Sequence, residues 1–531
     1  MDGRVAMRGR VAALRRARAC VRVAPWIAWL SLLSAPLARG AEASLSPPPP
    51  SPPPAPSPPP FHVAATGYAQ LGQDLDGEDA GDRSGMAVAL SADGLVVAAG
   101  ATHNDNNNVN DAGHVRVWAF DGTGWNRRGQ DLDGSPIAGG MDGWSVALSA
   151  DGATVAMGSR PNEQVRVFAY DADADHWDPL GNTLTGEPSK ELGYSVDLSA
   201  DGRILAVGTL WGDGDFHDWS RAGQVEVYAY DADTDTWNPL GQLLSGEKSG
   251  DEAGTSVALS SDGTIVAVGA SYNNAGVQFG DRGHVRVWEY DSEAGTWSTR
   301  GQDIDGEANH DYSGYTVALN ADGTVVAVGA RSNDAGGTES GHVRVYAYDA
   351  GSSQWGQRGG DLDGDGVYQA HGSSVALSAD GTVLAVGATG GSGARGHARV
   401  YAWDGATWQT VGSDLVGENV DDYAGESVAM SADGAVVAVG AYNNDDGGQD
   451  AGHVRVYAVQ YHPSPPALPP PPSSPPPPPS PPVVPAPPAP PAPPPAPPTP
   501  PPADPLAPPP APPPPPPFHV AATGYAQLGQ D

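Results

Sequence analysis

From about residue 80 to residue 460 the chain repeats one order of apolar and polar positions. A short alternating stretch, "SVALS" or a close variant, runs into "ADG". A continuous apolar run such as "TVVAVGA" follows, then a polar loop of variable length. Next comes a β-branched and aromatic stretch such as "GHVRVYAYD", an Asp/Gly turn, and a mixed polar stretch such as "TWSTRGQDIDG". Alternation closed by a tight turn predicts a hairpin. The apolar run predicts a strand buried on both faces, and the third stretch has the composition of a half-buried strand. Each unit therefore reads as four strands whose polarity rises from first to fourth. A sheet with its first strand innermost and its last at a rim would carry that gradient.

The unit occurs seven times, with the turn glycine at Gly94, Gly152, Gly202, Gly263, Gly323, Gly381 and Gly434, at spacings of 50 to 61 residues. Four-stranded units repeated at this period predict an all-β fold, a seven-bladed β-propeller. A single blade cannot bury both faces, whereas stacking between neighbours and closing the ring does so. An open solenoid would need distinct capping units, and none is visible. The seventh unit stops after its third strand, "GHVRVYAVQ", at Gln460. Its missing fourth strand matches "FHVAATGYAQLGQDLDG", Phe61–Gly77, with Tyr68 where the other units have Trp125, Trp177, Trp237, Trp297, Trp355 and Trp408. The N-terminal strand is thus expected to complete the last blade, giving one closed domain over residues 61–460.

Composition sets the flanks apart. Residues 1–40 hold eight Arg, one acid and the chain's one cysteine, Cys20, followed by the apolar run "VAPWIAWLSLLSAPLA". This reads as a secretory signal peptide; an uncleaved anchor or a plastid transit peptide is the alternative. The remainder has no cysteine, hence no disulfide or thiolate metal site. Net charge is −36 overall, and the chain beyond residue 40 has 19 basic and 62 acidic residues. Such a surface repels nucleic acid and anionic lipid. Residues 41–60 form a Pro-rich linker and residues 461–517 a Pro-rich stalk, both expected as polyproline II. Residues 518–531 repeat the latch strand, "FHVAATGYAQLGQD". They read as the start of a truncated second propeller, with a true tail or a strand exchanged into a latch slot as alternatives.

The unit "GDRSGMAVALSADGLVVAAGA…GHVRVWAF" resembles the FG-GAP repeat of integrin α chains and of many secreted repeat proteins. The resemblance rests on Gly85 before the first strand, "SVALS", the "VGA" at Val268–Ala270, Val328–Ala330 and Val386–Ala388, and the G-x-V-x-V-Y strand. It implies an extracellular binding or cell-adhesion module, often supported by calcium. Integrin-type calcium loops lie in the first hairpin, which here has shrunk to "SADG" and cannot form a cage. The Ser-Pro runs resemble hydroxyproline-rich glycoproteins of plant and green-algal walls, which implies hydroxylation, O-glycosylation and residence in a cell wall or extracellular matrix.

Two sets of residues carry candidate chemistry. After the fourth strand, acids stand at positions 1, 3, 5 and 9 of a loop: Asp74, Asp76, Glu78 and Asp82, and again Asp303, Asp305, Glu307 and Asp311. Alternating carboxylates on a flexible loop can wrap calcium. A polar connection using Asp and Gly for its turns is the competing reading. The second set is aromatic. Trp144, Tyr194 and Tyr315 stand at first-strand entrances, and Trp211 and Trp219 crowd one loop of the same face. Aromatic platforms beside carboxylates suit sugar rings; packing between blade ends is the plainer account. The recurring fourth-strand Trp residues and the "GH" histidines His114, His284, His342, His397 and His453 read as structural. No catalytic motif is present. The expected protein is a secreted, non-enzymatic module binding a glycan or a protein, with calcium as its one candidate cofactor. A spacer-and-bead wall component without a ligand is the alternative, and a propeller enzyme the third.

Overall fold

A computed structural model describes residues 65–105, 109–211, 221–274, 280–390 and 394–461. The signal peptide, the Pro-rich linker, the stalk beyond residue 461, the copy at 518–531 and Trp219 lie outside the described residues.

The repeats form seven antiparallel sheets. In the fifth, the strands Thr316–Leu319, Val325–Ala330, His342–Asp349 and Gln354–Gln357 lie side by side in chain order. The expected fourth strand is divided. Trp355 pairs with Tyr348, the chain turns through Gly359 at φ 90°, and Leu362–Asp363 rejoins the third strand opposite Val343 and His342. The sheet thus has a fifth, two-residue strand beyond the four read from the sequence.

First strands of successive blades touch one another all the way round, the last touching the first. Burial does not fall steadily outward from them. Thr316–Leu319 is only partly covered, whereas every residue of Val325–Ala330 is buried. The first strand borders a central channel, so the second carries the core. That corrects the simple inside-to-rim gradient.

Ring closure follows the expected plan. Ala65–Gln70 is the outer strand of the last blade, pairing with His453–Tyr461. Tyr68 lies opposite Val459, the register at which Trp355 faces Tyr348.

Two circumferential devices join the blades. The first runs through the "ADG" turns, where each backbone N–H donates to the next blade's carbonyl. Ala92 donates to Ala150 at 2.8 Å, Ala150 to Ala200 at 2.9 Å, Ala200 to Ser261 at 2.8 Å and Ser261 to Ala321 at 2.8 Å. Ala321 then donates to Ala379 at 3.0 Å, Ala379 to Ala432 at 2.7 Å, and Ala432 back to Ala92 at 2.8 Å. Seven bonds make an unbroken circle.

The second device lies near the outer edge and explains the recurrent tryptophans. The Trp355 indole N–H donates to the Arg300 carbonyl of the preceding repeat at 2.7 Å. Gln302 brackets the Trp355 backbone, its Oε1 accepting from the N–H at 2.8 Å and its Nε2 donating to the carbonyl at 2.7 Å. Gly301 faces the ring, where a Cβ would come within 2.8 Å of Trp355 Cδ1. The "Gly-Gln" of one repeat thus grips the Trp of the next, again at Gln73–Trp125, Gln130–Trp177 and Gln242–Trp297. Tyr68, which replaces the Trp in the last blade, donates instead to the Gly434 carbonyl within that same blade.

Truncating a buried aromatic costs about 3–5 kcal/mol. Trp355→Ala is expected to destabilise by that order in a denaturant melt. Trp355→Phe, which keeps a ring but no indole N–H, should lose less.

Candidate functional site

The acids of each 1-3-5-9 loop are divided between partners on two blades. Asp74 is held by Arg455 of the last blade through two hydrogen bonds of 2.9 and 2.8 Å. Glu78, four residues on, pairs with Arg116 of the first blade. The pattern repeats: Arg286 lies between Asp303 and Glu247, and Arg344 between Asp361 and Glu307. Each of these guanidiniums takes a position-1 acid from its own blade and a position-5 acid from the loop before it. The hydrogen bonds from Arg455 hold the Asp74 carboxyl below the ordinary carboxylate range.

The repeats support this pairing by their own variation. The second and third blades begin their third strand with Gln164 and Gln224 in place of "GH". Their position-1 residues are Thr183 and Leu243, and the third blade has Glu226 where the others have Arg. Arg and its acid are lost together in the third blade, whereas the second keeps Arg166, which pairs instead with Asp142 of the loop before it at 2.6 Å.

Position 9 serves the backbone. Asp311 is 3 % exposed and accepts from the Ala308 N–H at 2.9 Å and from Asn333 Nδ2 at 3.0 Å. Asp82 does the same with the Glu78 and Asp79 N–H groups and Asn104. In the sixth blade Gln369 caps the turn through its Oε1 to the Asp365 N–H, so a neutral acceptor suffices. Position-3 acids lie beside the histidines, with Asp305 Oδ1 3.9 Å from His284 Nδ1 and Asp76 Oδ1 3.9 Å from His453 Nδ1. Burial pushes both imidazoles down, so they are neutral at pH 7.

The aromatic set converges. Trp144 and Tyr194 have ring centroids 5.9 Å apart. Arg160 lies 4.9 Å from the Trp144 centroid and 5.4 Å from that of Tyr194. Its guanidinium is gripped by Glu191 through two 3.0 Å contacts. Arg221 covers Trp211 at 4.5 Å and pairs with Glu252 at 3.5 Å, and Arg331 covers Tyr315 at 3.9 Å. These residues line two adjoining cavities of about 590 and 240 Å³ that share Arg160, Glu191 and Trp211.

Sequence reading missed the arginines and glutamates. Arg160 and Arg331 follow the second strand directly; Glu191 and Glu252 stand two residues before the first-strand glycine. That last position reads Arg83, Met141, Glu191, Glu252, Tyr312, Ala370 and Tyr423 around the ring. All seven have φ between 51° and 62°, a region that non-glycine residues enter at a cost. Backbone bonds to the preceding blade hold five of them, as from the Met141 N–H to the Asp111 carbonyl at 2.9 Å and from Glu252 to Arg221 at 2.9 Å. A position that varies freely inside an otherwise constant repeat was the available signal.

Asp197 also stands apart, because the other six blades have Ala at its position. Its carboxylate accepts from the Leu198 N–H at 2.9 Å and from the Leu259 N–H of the next blade at 2.7 Å. Burial nevertheless pushes it from the ordinary 3.8 to about 6. The folded chain holds this proton more tightly than the unfolded chain, so the group's contribution to stability falls as pH rises through the window from about 4 to 6. The stability difference between Asp197→Ala and wild type should therefore move in the variant's favour across that window and level off above it, in paired melts at stepped pH.

No protein-family model matches the sequence, and no curated protein matches it. Among solved structures, the chain is similar to a periplasmic gluconolactonase of Pseudomonas aeruginosa, at 18 % identity and TM-score 0.43, over 63 % of this chain and 86 % of that one. It is similar to the β-propeller domain of Cps50 (Swd1) from Myceliophteria thermophila, at 12 % identity and TM-score 0.44, over 74 % and 99 %. A third is the hydrazine synthase of Kuenenia stuttgartiensis, at 14 % identity and TM-score 0.45, over 74 % and 98 %. Likeness at this level says nothing about ligand or activity; the fold itself, a seven-bladed β-propeller, rests on the sheet topology and the closed ring.

Proposed function

We propose that this chain is a secreted, non-enzymatic binding module of an extracellular matrix or cell wall, and that it binds a glycan at the mouth of the propeller. The observation that carries the reading is the cluster of Trp144, Tyr194, Trp211 and Tyr315 with Arg160, Arg221 and Arg331 stacked on their rings. The ring surfaces that the guanidiniums leave uncovered offer apolar platforms to the C–H faces of a sugar. The carboxylate and guanidinium edges beside them offer donors and acceptors to hydroxyls in fixed planes. Each guanidinium is already held by a ring, and two of them by a glutamate as well, so little rotamer freedom remains to be lost on binding.

The resemblance to FG-GAP repeats supports an extracellular setting, as do the signal-like segment at 1–40 and the hydroxyproline-rich character of the arms. Calcium on the 1-3-5-9 loops is not needed for this reading.

A glycan array probed with the full chain, followed by calorimetric titration of the best ligand, tests the proposal. Trp144→Ala and Arg331→Ala should each weaken binding by about tenfold or more, equivalent to at least ~1.4 kcal/mol, with unchanged melting. Binding that survives both substitutions would move the site elsewhere. No binding to any glycan would favour a protein ligand or the spacer-and-bead role.

A further inference from the structure

The chain meets itself in the last blade. Asp74 and Asp76 come from the N-terminal segment, and Glu418, Asp446 and His453 from the sixth and seventh repeats. Ligand atoms of Asp74, Glu418, Asp446 and His453 all lie within 4.8 Å of one another. Three other blades gather a smaller set of two acids and a histidine, for example Glu307, His342 and Asp361. Among the described residues the last blade alone adds a fourth ligand. The extra acid is Asp446, which stands where the fifth blade has Ala335.

Two further observations point to a missing cation. His453 is 2 % exposed, and its Nδ1, like those of His114 and His342, is buried without a hydrogen-bond partner; Asp76 Oδ1 lies 3.9 Å away. A buried imidazole nitrogen left unmatched is costly, and it faces carboxylates. Charge is also unbalanced. Arg455 pairs with Asp74 and Glu418, which leaves Asp76 and Asp446 uncompensated.

We propose that Asp74, Glu418, Asp446 and His453 form a divalent-cation site that fastens the N-terminal strand into the last blade. One imidazole among carboxylates suits a first-row transition ion such as Mn²⁺ better than calcium, which takes oxygen ligands. Because its ligands come from the two ends of the propeller's chain, the ion binds only the closed ring and stabilises it by mass action. The site is separate from the mouth and does not depend on a glycan being bound.

The test uses the full chain, stripped with chelator and titrated with Mn²⁺ under electron paramagnetic resonance and in a thermal melt. Two variants borrow residues that other blades already use. His453→Gln copies Gln164 and Gln224, and Asp446→Ala copies Ala335, so both are compatible with a folded blade. One Mn²⁺ per chain is expected, with a rise in Tm of several degrees. Both variants should lose the bound ion and the Tm rise while melting like the stripped wild type. His284→Gln, at the matching place in the fourth blade, should change neither. The proposal is overturned if no stoichiometric Mn²⁺ binds, if both variants bind it as wild type does, or if calcium binds and Mn²⁺ does not.

Discussion

The circle of seven backbone hydrogen bonds through the "ADG" turns is the constraint on which the rest of the molecule depends. Each bond spans two blades, and the last can form only when the seventh blade reaches the first, at Ala432 to Ala92. Hydrogen bonds of this kind contribute only about 1 kcal/mol each, yet a broken circle would also expose two blade faces. Burial of Val97, Val155, Leu205, Val266, Val326, Leu384 and Val437, each 0 % exposed, therefore requires the whole ring. Closure is a collective condition, and the latch at Ala65–Gln70 meets it from outside the seventh repeat.

Much of this was legible because the chain carries seven versions of the same instruction. Apolar runs such as "TVVAVGA", the tight "SADG" turns and the displaced "GYAQLGQD" strand fix the blade, the count and the closing strand. Less legible was why the tryptophans recur. Their partner is the Gly-Gln of the preceding repeat, as at Gln242 and Trp297, some 55 residues away. Local pattern shows which residues repeat, but not which repeats touch.

The candidate sites divide in the same way. Spacing at Asp303, Asp305, Glu307 and Asp311 suggests four ligands on one loop. In three dimensions the loop passes between blades, so Asp303 and Glu307 serve different arginines, Arg286 and Arg344. The "R" of "GHVRV" lies in another stretch of chain and gives no hint of this. At the mouth, the rings of Trp144, Tyr194 and Tyr315 were visible as large residues at equivalent positions. Their charged partners were not, because Arg160 and Glu191 are 31 residues apart and join only when two blades stack.

The seven left-handed residues at the mouth carry a wider consequence. In five of them the backbone N–H bonds to the neighbouring blade, and in one chain that same geometry accepts Arg, Met, Glu, Tyr and Ala. Scaffold and recognition surface are thus written in different atoms, the first in main chain and the second in side chains. A gene that duplicates or exchanges whole blades would shuffle the second without disturbing the first. The propeller behaves as a seven-slot display, in which new specificity can arise by recombination and need not wait for one substitution at a time.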